Sequence, residues 1–171
     1  HALGRAYETT LDTIGDDAIS LKQAVINILA TYRGDTDRIS IEGDDFSVPF
    51  SLISAIGLML HELAANAIKY GAFSNDHGRI AVRWHRGAQE DGTKLLTLDW
   101  QESGGPPIAG TPERTGTGTI LLDRIIRTYG GAVHREWRAD GLLARIGALH
   151  ELEQLDPSLR QAHLVLFAFL T

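Results

Sequence analysis

Apolar positions recur along the chain with two periods, one near 3.6 residues and one of 2, and their succession sets out the elements. Leu3, Ala6, Tyr7 and Leu11 predict a helix over 2–12, with Gly15 just past its end. Leu21, Val25, Ile28 and Leu29 predict a second helix, about 21–31, with Ser20 as its N-cap. Ile39 and Ile41 alternate in a short strand over 38–42. Ser47, Val48 and Pro49 then open a long helix, about 49–70, which places proline near its first turn and ends at Gly71. Ile80, Val82 and Trp84 alternate in a strand over 78–86. The polar stretch 87–93 reads as a hairpin loop, and 94–101 as the returning strand. Residues 103–116 hold four Gly and three Pro, too many for a packed element, and read as a lid-like loop. Helical spacing resumes over 117–129 through Ile120, Leu121, Ile125 and Ile126, closed by Gly130-Gly131. Strands over 132–138 and 142–148 form a hairpin at Ala139-Asp140-Gly141, and Asp156-Pro157 starts a last helix with an apolar end. This order predicts an α/β fold, a two-layer sandwich of a mixed β-sheet covered on one face by helices.

Composition narrows the classes of function. The 171 residues suffice for one domain with a core. A net charge of -6 without a basic run argues against nucleic acid as the main partner. With no cysteine there is neither a disulfide framework nor a thiolate metal site. No apolar run approaches a membrane span and the start of the chain lacks the apolar centre of a signal peptide, so a cytoplasmic protein without membrane contact is expected.

Candidate chemistry concentrates in three segments. In His61-Glu62-Leu63-Ala64-Ala65-Asn66-Ala67-Ile68-Lys69-Tyr70, helical geometry brings Glu62, Asn66 and Lys69 within about 60° of one another. Ile56, Leu60, Leu63 and Ala67 fall on the other side. An amide oxygen for a hard cation, an ammonium for phosphate and a carboxylate to orient or accept a proton suit a metal–phosphate group. The second segment, Leu98 to Pro107, ends a strand at Glu102 and turns through Gly104-Gly105. A carboxylate there can accept from the exocyclic amine of adenine, whereas guanine offers an acceptor and leaves it unpaired. Such a charge-assisted bond is worth roughly 1.5–3 kcal/mol. The plain reading, a solvated glutamate at a strand-to-turn junction, stands beside it. The third segment, Thr115-Gly116-Thr117-Gly118-Thr119, is a glycine-rich loop opening a helix, where backbone N–H groups favour anions. It is neither a P-loop nor a dinucleotide fingerprint, and alone it signals only a flexible helix entry. His77, His85, His134, His150 and His163 lack metal-ligand spacing and read as surface or packing residues. Trp84 and Trp137 read as core, and Asp123, Arg124 and Arg127 as a solvated helix face.

In that order the segments resemble the ATP-binding catalytic domain of sensor histidine kinases, within the group of ATPases that shares the Bergerat fold with gyrase and Hsp90. The closer likeness is to the HWE subfamily, with His61, Trp100 and Glu102 as its name-giving residues. The matching wording is His61-Glu62-Leu63, Asn66-Ala67 and Lys69-Tyr70-Gly71-Ala72, then Trp100-x-Glu102-x-Gly104-Gly105-Pro106, then Gly116-Thr117-Gly118-Thr119. The likeness covers about residues 2–148. It implies ATP and Mg²⁺ as cofactors, Asn66 as the magnesium ligand, and Glu62 and Asn66 as the catalytic pair. It implies an ATP contact set of His61, Glu62, Asn66, Lys69, Tyr70, Glu102, Gly104, Gly116, Thr117, Gly118 and Thr119. Glu102 stands where most histidine kinases have the aspartate that binds the adenine amine.

The same likeness implies as partners a response regulator and the dimerisation and phosphoacceptor helices of a parent kinase. Residues 1–18 then read as the remnant of a dimerisation helix and linker, 19–149 as the catalytic domain, and 150–171 as a helical extension that matches no known pattern. The acceptor histidine motif of such kinases is missing, so a chain that binds ATP without completing autophosphorylation is expected. The alternative is an ATPase or ATP-binding regulatory switch of the same superfamily without histidine kinase activity.

Overall fold

A computed structural model describes residues 18–33, 37–88, 94–111 and 116–149. The helices expected over 2–12 and after Asp156, the tip of the 87–93 hairpin, Thr115 and the middle of the lid lie outside the described residues.

The elements run β1 (Ala18–Ser20), α1 (Leu21–Arg33), β2 (Ile39–Gly43), β3 (Ser47–Pro49), α2 (Phe50–Lys69), a 3-10 turn (Ala72–Ser74), β4 (Arg79–Ala88), β5 (Lys94–Ser103), α3 (Thr117–Thr128), β6 (Ala132–Arg138) and β7 (Gly141–Leu149). Five strands form one mixed sheet in the order β2-β4-β5-β7-β6, with β2 parallel to β4 and the other pairs antiparallel. The helices cover one face, as the alternation of apolar positions requires. Ile80, Val82 and Trp84 of β4, Leu96, Leu98 and Trp100 of β5, and Leu142, Ala144 and Ile146 of β7 are all buried with the apolar side of α2. The other face is solvated and carries ion pairs such as Arg145–Asp99 at 2.8 Å and Arg83–Glu42 at 3.1 Å.

Three expectations need correction. Ser47–Pro49 does not open α2: it is a strand, β3, paired antiparallel with β1 through Ile19↔Val48. These strands are three residues each, too short for an alternation to register. Pro49, extended at φ -59° and ψ 145°, ends β3 and leads into the helix at Phe50. Second, α2 is by length and hydropathy able to cross a membrane, contrary to the reading of the chain as free of such a run. More than half of its apolar window is buried inside the fold, which identifies it as the central core helix. Third, Asp123 is no solvated residue: Arg135 of β6 donates to both its oxygens, at 2.8 and 3.0 Å, pinning α3 to the sheet.

The Ser20 cap forms as expected, its Oγ accepting from the Gln23 N–H at 3.0 Å. At the far end of α3 the Tyr129 hydroxyl donates to the Ser51 carbonyl at 2.9 Å, and burial pushes its pKa up to about 12. This bond ties the end of α3 to the start of α2, so the two helices that carry the first and third motif segments keep one relative position.

Candidate functional site

The exposed side of the C-terminal half of α2 holds the first segment. Glu62 and Asn66, one turn apart, face each other, and the Asn66 Nδ2 donates to Glu62 Oε1 at 3.1 Å. That bond engages the amide nitrogen and leaves Oδ1 as the oxygen a hard cation could take. Among the described residues Lys69, in the last turn, is exposed, and Tyr70 is 76% exposed. Among the described residues no three His, Asp or Glu side chains gather as a metal cage. A cation here would complete its shell from phosphate and water, as magnesium ordinarily does.

The third segment reaches this stripe directly. Gly118, in the first turn of α3, lies so close to Glu62 that a Cβ would stand 2.9 Å from its Oε2. A side chain at this position would push the Glu62 carboxylate aside. Gly116 precedes the helix and provides no side-chain cap, while Thr117 is exposed and Thr119 half-buried. Between α1, α2 and α3 runs an open groove of about 390 Å³, with His61, Glu62 and Gly118 at its polar side and Leu58, Leu121 and Ile125 among its apolar lining. Tyr32 of α1 also lines it and shares a 2.7 Å hydrogen bond with the Nδ1 of His61.

The second segment meets the C-terminal end of the same helix, just past Lys69. Glu102 is the buried charged side chain among the described residues, at 5% exposure, so the solvated reading of it is wrong. Its carboxylate takes two donors: the Ala72 N–H reaches Oε2 at 2.8 Å and the Trp100 indole Nε1–H reaches Oε1 at 3.0 Å. Burial pushes its pKa up from the ordinary carboxylate value, and the two N–H bonds pull it back in part. Gly71 makes room for it, because a Cβ there would stand 2.1 Å from Oε2. The main chain joins this carboxylate to the Glu62–Asn66 stripe: the Asn66 main-chain carbonyl accepts from the Tyr70 and Gly71 N–H groups, and Ala72 follows at once.

The turn carrying Ala72 is braced from two sides. Arg38 of the loop before β2 donates from Nε to the Gly78 carbonyl at 2.8 Å and from Nη2 to the carbonyls of Ala72 and Asn75. Its guanidinium lies 4.5 Å over the Phe73 ring. Asn75 accepts from the His77 and Gly78 N–H groups and donates to the Gly104 carbonyl at 3.0 Å, so Gly104 is held against this turn.

The fold thus gathers Glu62, Asn66 and Gly118 at one point and Glu102, Gly71 and Gly104 at a second, with the last turn of α2 between them. His61 stands apart from Asn66 and Glu102, tied to α1. Sequence reasoning missed Arg38, Asn75 and Tyr32, whose partners lie 29 to 40 residues away in most cases and leave no local pattern. The Trp100 bond had a signal: residues two apart on a strand share a face.

No protein-family model matches the chain. Among curated proteins it is 37% identical over 149 residues to blue-light-activated histidine kinase 1 of Erythrobacter litoralis, an alignment covering 85% of this chain and 40% of that protein. The chain therefore spans well under half the length of this relative. Its fold is similar to the histidine kinase domain of an Erythrobacter litoralis blue-light-activated kinase (TM-score 0.60, 18% identity, covering 80% of this chain and 64% of that one). It is equally similar to the catalytic domain of the histidine kinase ThkA (TM-score 0.60, 20% identity, covering 78% and 96%).

Proposed function

The chain belongs to the histidine kinase catalytic domains of the HWE type, and from that premise we propose that it binds Mg-ATP and donates the γ-phosphoryl group to a histidine of a longer sensor kinase. Relay to a response regulator would follow, in the cytoplasm. The observation that carries this reading is the meeting of all three motif segments around the last two turns of α2: Gly118 against Glu62, Asn66 bonded to Glu62, and Glu102 bonded to Ala72.

In this reading Asn66 Oδ1 ligates magnesium, which supplies charge neutralisation between the phosphates. Lys69, exposed in the last turn, contacts phosphate. Glu62 orients or deprotonates the incoming nucleophile. Gly104, Gly116 and Gly118 shape the lid, and Thr117 and Thr119 contact phosphate at the start of α3. Tyr70 and His61 flank the nucleotide from opposite sides of the α2 stripe. Glu102 accepts from the adenine amine: each of its oxygens has one internal donor and retains capacity for another bond. Phosphoryl transfer then rests on positioning and electrostatics, with little covalent chemistry for the protein to perform.

Titration with Mg-ATP and Mg-GTP, repeated on Glu102→Gln, tests the assignment. ATP is expected to bind at least ten-fold more tightly than GTP, and the substitution to erase most of that difference. Equal binding of the two, indifferent to the substitution, would refute the adenine contact. Steady phosphate release without any acceptor, abolished in Glu62→Ala, would instead favour the ATPase alternative.

A further inference from the structure

We infer that Trp100 is a positioning and specificity-determining residue, whose indole N–H fixes the Glu102 carboxylate for recognition of an amino-bearing purine. The inference rests on the adenine contact proposed above. Its own basis is geometric. Trp100 and Glu102 sit two apart on β5, on the face turned to the helices, opposite Val82 and Ile80 of β4. The indole is completely buried, so it cannot follow a moving carboxylate. Its Nε1–H holds Oε1 at 3.0 Å while the Ala72 N–H holds Oε2 at 2.8 Å. A glutamate with three rotatable bonds is thereby held at both oxygens, from two different elements. Gly71 at its flank lacks the Cβ that would displace Oε2 from this position.

Two consequences separate this role from simple core filling. First, the indole N–H is a donor only, so it stabilises the ionised carboxylate, the form that accepts from an exocyclic amine. Burial alone opposes that form. Second, an oxygen that already takes the indole bond presents its remaining capacity in a fixed direction. A carboxylate free to rotate would accept an amine and, once protonated, would also donate to a carbonyl, which weakens discrimination between adenine and guanine.

The decisive variant carries benzothienylalanine at position 100, introduced site-specifically into the full chain, because sulfur replaces the indole N–H while shape and burial stay nearly the same. Trp100→Phe serves as a genetically simple companion. Affinities for Mg-ATP, Mg-GTP and magnesium tripolyphosphate, which has no base, are measured by calorimetry. The expected result is a loss of ATP affinity of about ten-fold with tripolyphosphate unchanged, so that the ATP-to-GTP ratio falls. In a Glu102→Gln background the same replacement is expected to leave the ratio unaltered, as coupling through that carboxyl requires. An unchanged ratio in the benzothienylalanine variant would overturn the inference, even if total affinity fell. A wild-type chain that does not distinguish ATP from GTP would instead overturn the adenine reading itself, and this inference with it.

Discussion

Gly71→Ala is a one-methyl test of how Glu102 is seated. The added Cβ would stand 2.1 Å from Glu102 Oε2, about 1 Å inside the closest approach that carbon and oxygen tolerate. Retreat of the main chain is blocked on the other side, where the same Cβ would be 3.0 Å from the Ala67 Cα. The carboxylate must therefore yield. A shift of about 1 Å stretches its 2.8 Å bond to the Ala72 N–H beyond hydrogen-bonding range. Loss of a bond to a buried charge costs about 1.5–3 kcal/mol, and residual crowding raises the total to about 2–4 kcal/mol. Urea unfolding measures this directly, with Gly87→Ala as the control, since a Cβ at Gly87 meets nothing within 4 Å. Nucleotide titration reads the second effect: ATP affinity falls more than tripolyphosphate affinity. If Gly71→Ala unfolds within about 0.5 kcal/mol of the wild type and keeps its ATP affinity, the packing argument for Glu102 is refuted.

Arg38→Met removes the guanidinium that holds three carbonyls of the turn from Ala72 to Gly78, and is expected to cost about 2–3 kcal/mol in urea unfolding; a cost below about 0.5 kcal/mol would mean that Asn75 braces the turn alone. Glu102 makes stability depend on pH. Its folded pKa is raised, so its contribution is full below the ordinary carboxylate value and is lost as pH rises through the raised one. Glu102→Gln stays neutral throughout, so its stability relative to the wild type should climb with pH across that interval; urea melts giving a flat or falling difference would contradict the assignment. Asn66→Ala is expected to weaken Mg-ATP at least ten-fold while changing metal-free ATP little, and chelation with EDTA should equalise the two proteins in a fluorescent-nucleotide assay. An equal loss with and without magnesium would remove Asn66 from the metal site.

The braced turn explains how distant residues bear on the seating of Glu102. Ala72 contributes a backbone N–H, so its position depends on whatever holds the main chain of residues 71–78. Arg38 and Asn75 do this from either side, and the Asn75 bond extends the brace to Gly104, just past the end of β5. The point where Gly118 meets Glu62 is held differently. There α3 is pinned by Arg135 to Asp123 and by Tyr129 to Ser51, which keeps Gly118 against Glu62.

Periodicity by itself located the helices expected at about 21–31, 49–70 and 117–129, which form over Leu21–Arg33, Phe50–Lys69 and Thr117–Thr128, together with the strands of the large sheet and the side of α2 that is buried. These follow from the local rule that each element must hide its apolar face, a rule written in the spacing of residues within one element. The stripe of Glu62 and Asn66 was legible for the same reason, since neighbours one turn apart must meet. Tertiary structure alone decided the β1–β3 pair, the burial of Glu102, the bond from Arg135 to Asp123 and the clamp of Arg38. Each joins groups that are far apart along the chain or depends on a main-chain donor, and neither leaves a trace in residue type. A glutamate at a strand end looks the same in sequence whether water or an indole and an amide surround it. Only the folded chain, by closing Gly71 and Trp100 around that carboxylate, selects between them.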